Sequence, residues 1–150
     1  MKILIALDDS AHSARAVRFV LRMRWPAGSR VIVANVLAPV ILPAEVGVDS
    51  PAPLLSDMTE VQGQKARELV ARAEAELREA GIATESRILT GDPRDALVRL
   101  IRDERADLIV MGSHGRTGLS KLLLGSVSSH VVTHAHCSVL VVKEDSHESA

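Results

Sequence analysis

The chain has 150 residues, 47% of them hydrophobic and 25% charged, with a formal net charge of −1, which suits one globular domain with enough apolar material for a substantial core. Near-neutrality excludes a general attraction to nucleic acid or to an anionic membrane surface, and no stretch approaches the roughly 20 apolar residues of a membrane span. A lone cysteine, Cys137, excludes an internal disulfide framework and suits a reducing, cytoplasmic compartment.

Ile3 to Leu7 is an apolar run that reads as a buried strand; it is too short for a secretory signal and is stopped by Asp8 and Asp9. Ser10 can cap a helix with Ala14, Val17, Val20 and Leu21 on one face, ending before Trp25-Pro26 and Gly28. Val31 to Val36 is the second buried run. Residues 37–55 carry Pro39, Pro43, Pro51 and Pro53 with Gly47 and read as a long irregular connection within one domain. Asp57 and Glu60 resemble a capping pair for the longest helix, which runs to Ala80, stops at Gly81, and turns Ala66, Leu69, Val70, Ala73 and Leu77 inward. The charges from Lys65 to Glu79 form a solvated face with i, i+4 pairs.

Ile82 to Leu89 alternates polar and apolar residues and should lie at a sheet edge. Asp92-Pro93 supplies an N-cap and an N1 proline for a helix bearing Ala96, Leu97, Leu100 and Ile101. Leu108 to Met111 reads as a strand buried on both faces, Val127 to Ala135 as a short helix, and Val139 to Val142 as the closing strand before a polar tail, residues 144–150. Strand and helix thus alternate through a single domain, residues 1–150. The fold class expected is α/β: a doubly wound, five-stranded, mainly parallel sheet with about four helices, Rossmann-like. In such sheets a ligand binds beyond the carboxyl ends of the strands. Asp8, Val36 and Gly112 all fall at such ends.

The segment from Met111 to Ser126 joins the end of a buried strand to a helix start through Gly112, Gly115, Gly118 and Gly125. Glycines let the backbone approach a ligand, and a helix opening at Gly125-Ser126 offers N–H groups and a positive dipole end. Phosphate suits that geometry best. The pattern G-x2-G-x9-G-[ST] should arise by accident in roughly one chain of this length in two hundred; it is neither a Walker A sequence nor G-x-G-x-x-G. The plainer alternative makes Gly115 and Gly118 turn residues and Gly125 a helix cap.

This glycine pattern, the opening Ile3-Leu4-Ile5-Ala6-Leu7-Asp8-Asp9-Ser10, the Gly91-Asp92-Pro93 turn and the closing Cys137-Ser138-Val139-Leu140-Val141-Val142 together resemble the universal stress protein family along the whole chain. The glycine motif looks like that of its ATP-binding branch. The resemblance implies an adenine nucleotide alpha hydrolase-like fold and a site for ATP; no metal is expected from the protein alone, but Mg²⁺ can accompany the ATP near Asp8. Asp8 would meet the ribose and main-chain groups at Val36 the adenine. Gly112, Ser113, Gly115, Gly125, Ser126 and Val127 would hold the phosphates, with Ala6, His114 and Arg116 lining the pocket. Asp9 stands where many relatives have glycine or a bulky apolar residue, and Ser138 where proline is frequent.

Other candidates are weaker. His130 and His134, four apart with His136 and Cys137 beyond, have the spacing of a metal pair, but histidines at a helix end also interact with its dipole and solvent. His114 can contact a ligand or sit solvated, Cys137 reads as a small apolar residue, and Asp8 can also cap the first helix beside Ser10. Phosphoryl transfer needs a metal, a positive charge and a group that places the nucleophile. Asp8 or Asp9 with Arg116 or Lys121 offers the first two; nothing obvious offers the third. The expectation is a nucleotide-dependent regulator, not an enzyme, with slow ATP hydrolysis at most. A nucleotide-free interaction module and an adenylating enzyme are the alternatives. Val139, Leu140, Val141 and Val142, apolar in succession on a final edge strand, suggest a homodimer, which the resemblance also implies; the alternative is that residues 37–53 cover the strand.

Overall fold

The computed structural model describes residues 1–40, 52–114 and 124–143. Each apolar run becomes a strand and each amphipathic run a helix, in the order β1 (Lys2–Leu7), α1 (Ala11–Arg22), β2 (Arg30–Leu37), α2 (Ala52–Glu79), β3 (Ala83–Thr90), α3 (Pro93–Glu104), β4 (Leu108–Gly112), α4 (Ser126–His134) and β5 (Ser138–Val142). The strands form one five-stranded sheet in the order β3-β2-β1-β4-β5, and all four neighbouring pairs are parallel. The chain winds outward from β1 to β3 on one side and from β4 to β5 on the other. The crevice where that direction reverses therefore opens between the carboxyl ends of β1 and β4.

Side chains alternate across the sheet, so each strand feeds two cores. Ile3, Ile5 and Leu7 of β1 pack with Val31, Val33, Leu108 and Val110 against α1 and α2. Leu4 packs with Ala34, Ile109 and Met111 against α3 and Val131 of α4. Two covered faces explain why β1, β2 and β4 read as unbroken apolar runs. β3, at one edge, has no fully buried residue, in keeping with its alternating sequence. β5 occupies the other edge.

Two helix details differ from the sequence expectation. The buried face of α1 is Ser13, Ala16, Val17 and Val20, whereas Ala14 is exposed. The face is turned by about one position because Ser13 can be buried at low cost: its hydroxyl donates to the Ser10 carbonyl at 3.0 Å. Helix α2 starts at Ala52, so Asp57 lies inside it and is no cap. Pro53 falls in the first turn, where a missing N–H forfeits no helical bond. The far end of α2 is as expected: Gly81 adopts φ +79, and Ile82 N donates to the Leu77 carbonyl at 3.0 Å, closing the helix.

Asp92 caps α3, accepting from Arg94 N at 2.9 Å and from the Arg94 guanidinium at 3.0 and 2.7 Å. These bonds, the side-chain ones foremost, hold its carboxyl down at about 2. The folded value lies below the unfolded one, so this anchorage is present above the ordinary carboxylate pKa of about 4 and is lost as pH falls through 2. A carboxyl-carbon NMR titration should find Asp92 ionised at pH 3; an ordinary pKa there would contradict the capping geometry.

Candidate functional site

The end of β1 turns sharply into α1. Asp9 takes the left-handed conformation, φ 64, which glycine adopts freely and aspartate tolerates better than bulkier residues. Asp8 Oδ1 accepts from Ser10 N at 3.2 Å and from Ser10 Oγ at 2.6 Å. Ser10 Oγ in turn accepts from Ser13 N at 3.1 Å as the N-cap. Asp8 is thus tied to the positive end of α1, the capping role foreseen for it. Ala6 and Val36, at the ends of β1 and β2, are half-buried on the same apolar cluster as Val127 of α4.

Gly112 ends β4 in contact with the first turn of α1. A Cβ added there would lie 2.6 Å from His12 Cβ, 2.7 Å from His12 C and 2.8 Å from His12 O. Glycine is therefore required at this position by helix packing, whatever a ligand adds. Its carbonyl accepts from the buried Ser128 hydroxyl of α4 at 2.9 Å. Ser113, also buried, donates its N–H to Val142 O at 3.0 Å and accepts from Gly125 N at 2.8 Å. That last bond pins the start of α4 beside the end of β4. Gly125 caps α4 with no side-chain hydrogen bond, and Ser126 is exposed. Gly115 and Arg116, with Gly118 and Lys121, lie outside the described residues.

His114 follows, its Nδ1 3.1 Å from Ser113 Oγ and its ring centre 5.5 Å from that of His12, with planes 51° apart. His114 Nε2 and His12 Nδ1 are buried and lack a hydrogen-bond partner among the described residues. The sequence reading missed His12. Nothing local in the sequence marks it, because its approach to Gly112 and His114 comes from the tertiary fold.

At the opposite end of the last crossover, the His130 and His134 rings stack 4.1 Å apart with planes 23° from parallel. His134 Nδ1 lies 2.9 Å from the His130 carbonyl, and Asp95 is 3.5 Å from His130 Nε2. Among the described residues no group of three or more His, Cys, Asp or Glu side chains has metal-holding geometry. Cys137 packs against the α3 side of the core, and burial pushes its thiol above the usual value, making it less reactive. No described helix is long and apolar enough to cross a membrane.

The family model described as the universal stress protein family matches residues 1–143. A universal stress protein of Methanocaldococcus jannaschii is 35% identical over 150 residues, spanning 98% of this chain and 84% of that protein. Among solved structures, the hypothetical protein MJ0577, from the same archaeon, superposes with a TM-score of 0.81 at 29% identity, covering 96% of each chain. A universal stress protein from Archaeoglobus fulgidus, solved in complex with dAMP, superposes with a TM-score of 0.63 at 27% identity, covering 95% of this chain and 98% of that one.

Proposed function

This chain belongs to the universal stress protein family, and from that premise we propose that it binds ATP, accompanied by Mg²⁺, and acts in the cytoplasm as a nucleotide-dependent regulator of a stress response. The observation that carries the reading is the convergence at the β1/β4 crevice. Asp8 and Gly112 end the two strands there, and the Gly125 N to Ser113 O bond of 2.8 Å holds the start of α4 alongside them. Half-buried Ala6, Val36 and Val127 offer an apolar bed for a flat base. Asp8 offers a carboxylate for ribose hydroxyls or for the magnesium that accompanies a triphosphate. The N–H groups opening α4 suit phosphate oxygens. The structure of the Archaeoglobus relative with dAMP supports an adenine nucleotide as the class of ligand.

The site offers binding groups, and no described side chain is evidently placed to activate a water against a phosphate. We therefore assign it no enzymatic role beyond slow ATP hydrolysis, and AMP transfer to an added acid would contradict this. We further propose that the protein works as a homodimer joined through β5.

Mass spectrometry of ligand released from gently purified protein, followed by calorimetric titration with ATP and Mg²⁺, tests the reading. ATP should bind more tightly than its 2'-deoxy analogue, because the analogue forfeits a hydrogen bond to a charged acceptor, worth about 1.5 to 3 kcal/mol. Asp8→Ala should erase that preference. Equal affinities in the wild type would remove Asp8 from the ribose, and absence of any adenine-nucleotide binding would favour a nucleotide-free interaction module of the same fold.

A further inference from the structure

We propose that His12 and His114 form a two-imidazole site for a transition-metal ion of the zinc type, at the mouth of the β1/β4 crevice and independent of any nucleotide. Three observations carry it. First, His12 Nδ1 and His114 Nε2 are both buried without a hydrogen-bond partner among the described residues. A buried imidazole nitrogen loses its hydration, and native interiors rarely leave such an atom unmatched. Two adjacent cases share one explanation if an ion accepts both lone pairs.

Second, the separation fits. Two imidazoles on one tetrahedral ion, each bound at the usual Zn–N distance, place their ring centres about 5.3 Å apart; His12 and His114 stand at 5.5 Å. Their planes are tilted by 51°, so the two rings are not a parallel stack. The stacked His130 and His134 rings, 23° from parallel, direct their in-plane lone pairs side by side and are the poorer pair despite their i, i+4 spacing. Third, Ser113 Oγ sits 3.1 Å from His114 Nδ1. A hydroxyl accepting from Nδ1–H leaves Nε2 as the basic nitrogen, which is how outer-shell groups prepare a histidine ligand. Imidazole donors favour zinc, cobalt, nickel or copper over magnesium. With two protein ligands, the ion would need water or an oxygen donor to complete its coordination.

The test is a titration of the untagged, nucleotide-free protein with Co²⁺, followed through its visible absorption, with Zn²⁺ as competitor. One equivalent should bind per chain. His12→Ala and His114→Ala should each weaken binding at least tenfold, while the double substitution of His130→Ala and His134→Ala leaves it unchanged. If an alanine variant loses its far-UV circular dichroism, His12→Gln and His114→Gln take its place. In the folded wild type, ¹⁵N resonances of both rings should shift together on adding one equivalent of Zn²⁺. Lack of stoichiometric binding, binding that survives in the His12 and His114 variants, or binding lost with His130 and His134 would each overturn the proposal.

Discussion

Gly112→Ala should destabilise the protein by about 3 kcal/mol, at the upper end of the usual cost of overpacking. Two of the three atoms that the new methyl would meet, His12 C and O at 2.7 and 2.8 Å, are main-chain atoms of α1. A flexible side chain could swing aside; a helix backbone held by the Ser10 cap moves only as a unit. Relief therefore requires α1 to lift from β4 and disturbs the packing of Ala16, Val17 and Val20 beneath it. Gly28→Ala is the control. That residue has φ +77 but no described atom within 4 Å of an added Cβ, so only the left-handed backbone is penalised, by about 1 kcal/mol. Urea unfolding of both variants measures the difference, and a Gly112→Ala midpoint equal to that of Gly28→Ala would refute the contact.

Val141→Pro should convert a dimer into monomers, whereas Leu140→Pro should damage the fold itself. In a parallel strand the N–H and C=O of one residue point to the same side, and successive residues alternate. On β5, Ser138 N donates to Asp107 O at 3.3 Å, and Val142 O accepts from Ser113 N at 3.0 Å. Positions 138, 140 and 142 therefore face β4, and positions 139 and 141 face away from the sheet. Proline at 141 removes a donor from the outward row alone, as edge strands tolerate. At 140 it removes one that serves the β4 ladder. The side chains of β5 are divided between the two cores, Leu140 and Val142 against α1 and α2, Val139 and Val141 against α3 and α4. The apolar run is thus partly accounted for within one subunit, and the outward row of backbone groups is the stronger argument for pairing. Light scattering at micromolar concentration should give twice the chain mass for the wild type and the single mass for Val141→Pro. A monomeric wild type would end the proposal.

The sheet was legible because its strands are buried on both faces. Apolar runs such as Ile3 to Leu7 and Leu108 to Met111 have few other readings when helical periodicity separates them, and the alternation in Ile82 to Leu89 marked the edge. Caps at Ser10 and Asp92 and the stop at Gly81 were visible because each depends on local hydrogen bonds or on φ. The start of α2 was not. Three prolines before it suggested a broken chain, yet a proline in a first turn is harmless, so the rule that flagged Pro53 applied in its exception. The buried face of α1 was misplaced because serine ranks as polar, while Ser13 satisfies its hydroxyl locally. At the site, Asp8, Val36 and Gly112 could be placed from strand ends alone. His12 could not, because its importance comes from a contact with Gly112 across 100 residues of sequence, and no local pattern encodes a tertiary approach of that kind.

The central position of β1 imposes an order on biosynthesis. Lys2 N donates to Asp107 Oδ2 at 2.6 Å and Asp107 N to the Lys2 carbonyl at 2.9 Å, so the strand translated first meets one of its two neighbours 105 residues later. At about 5 to 20 residues per second, a ribosome takes roughly 5 to 20 seconds to supply that neighbour. Until then β1, α1, β2, α2 and β3 can assemble only a half-sheet whose open border includes Ile3, Leu4 and Ile5, three residues with no exposed surface in the finished fold. A nascent chain in that state carries an unpaired apolar border next to the tunnel exit. Slowed translation between residues 79 and 107 would lengthen this exposure, and molecular chaperones would be needed most in that interval.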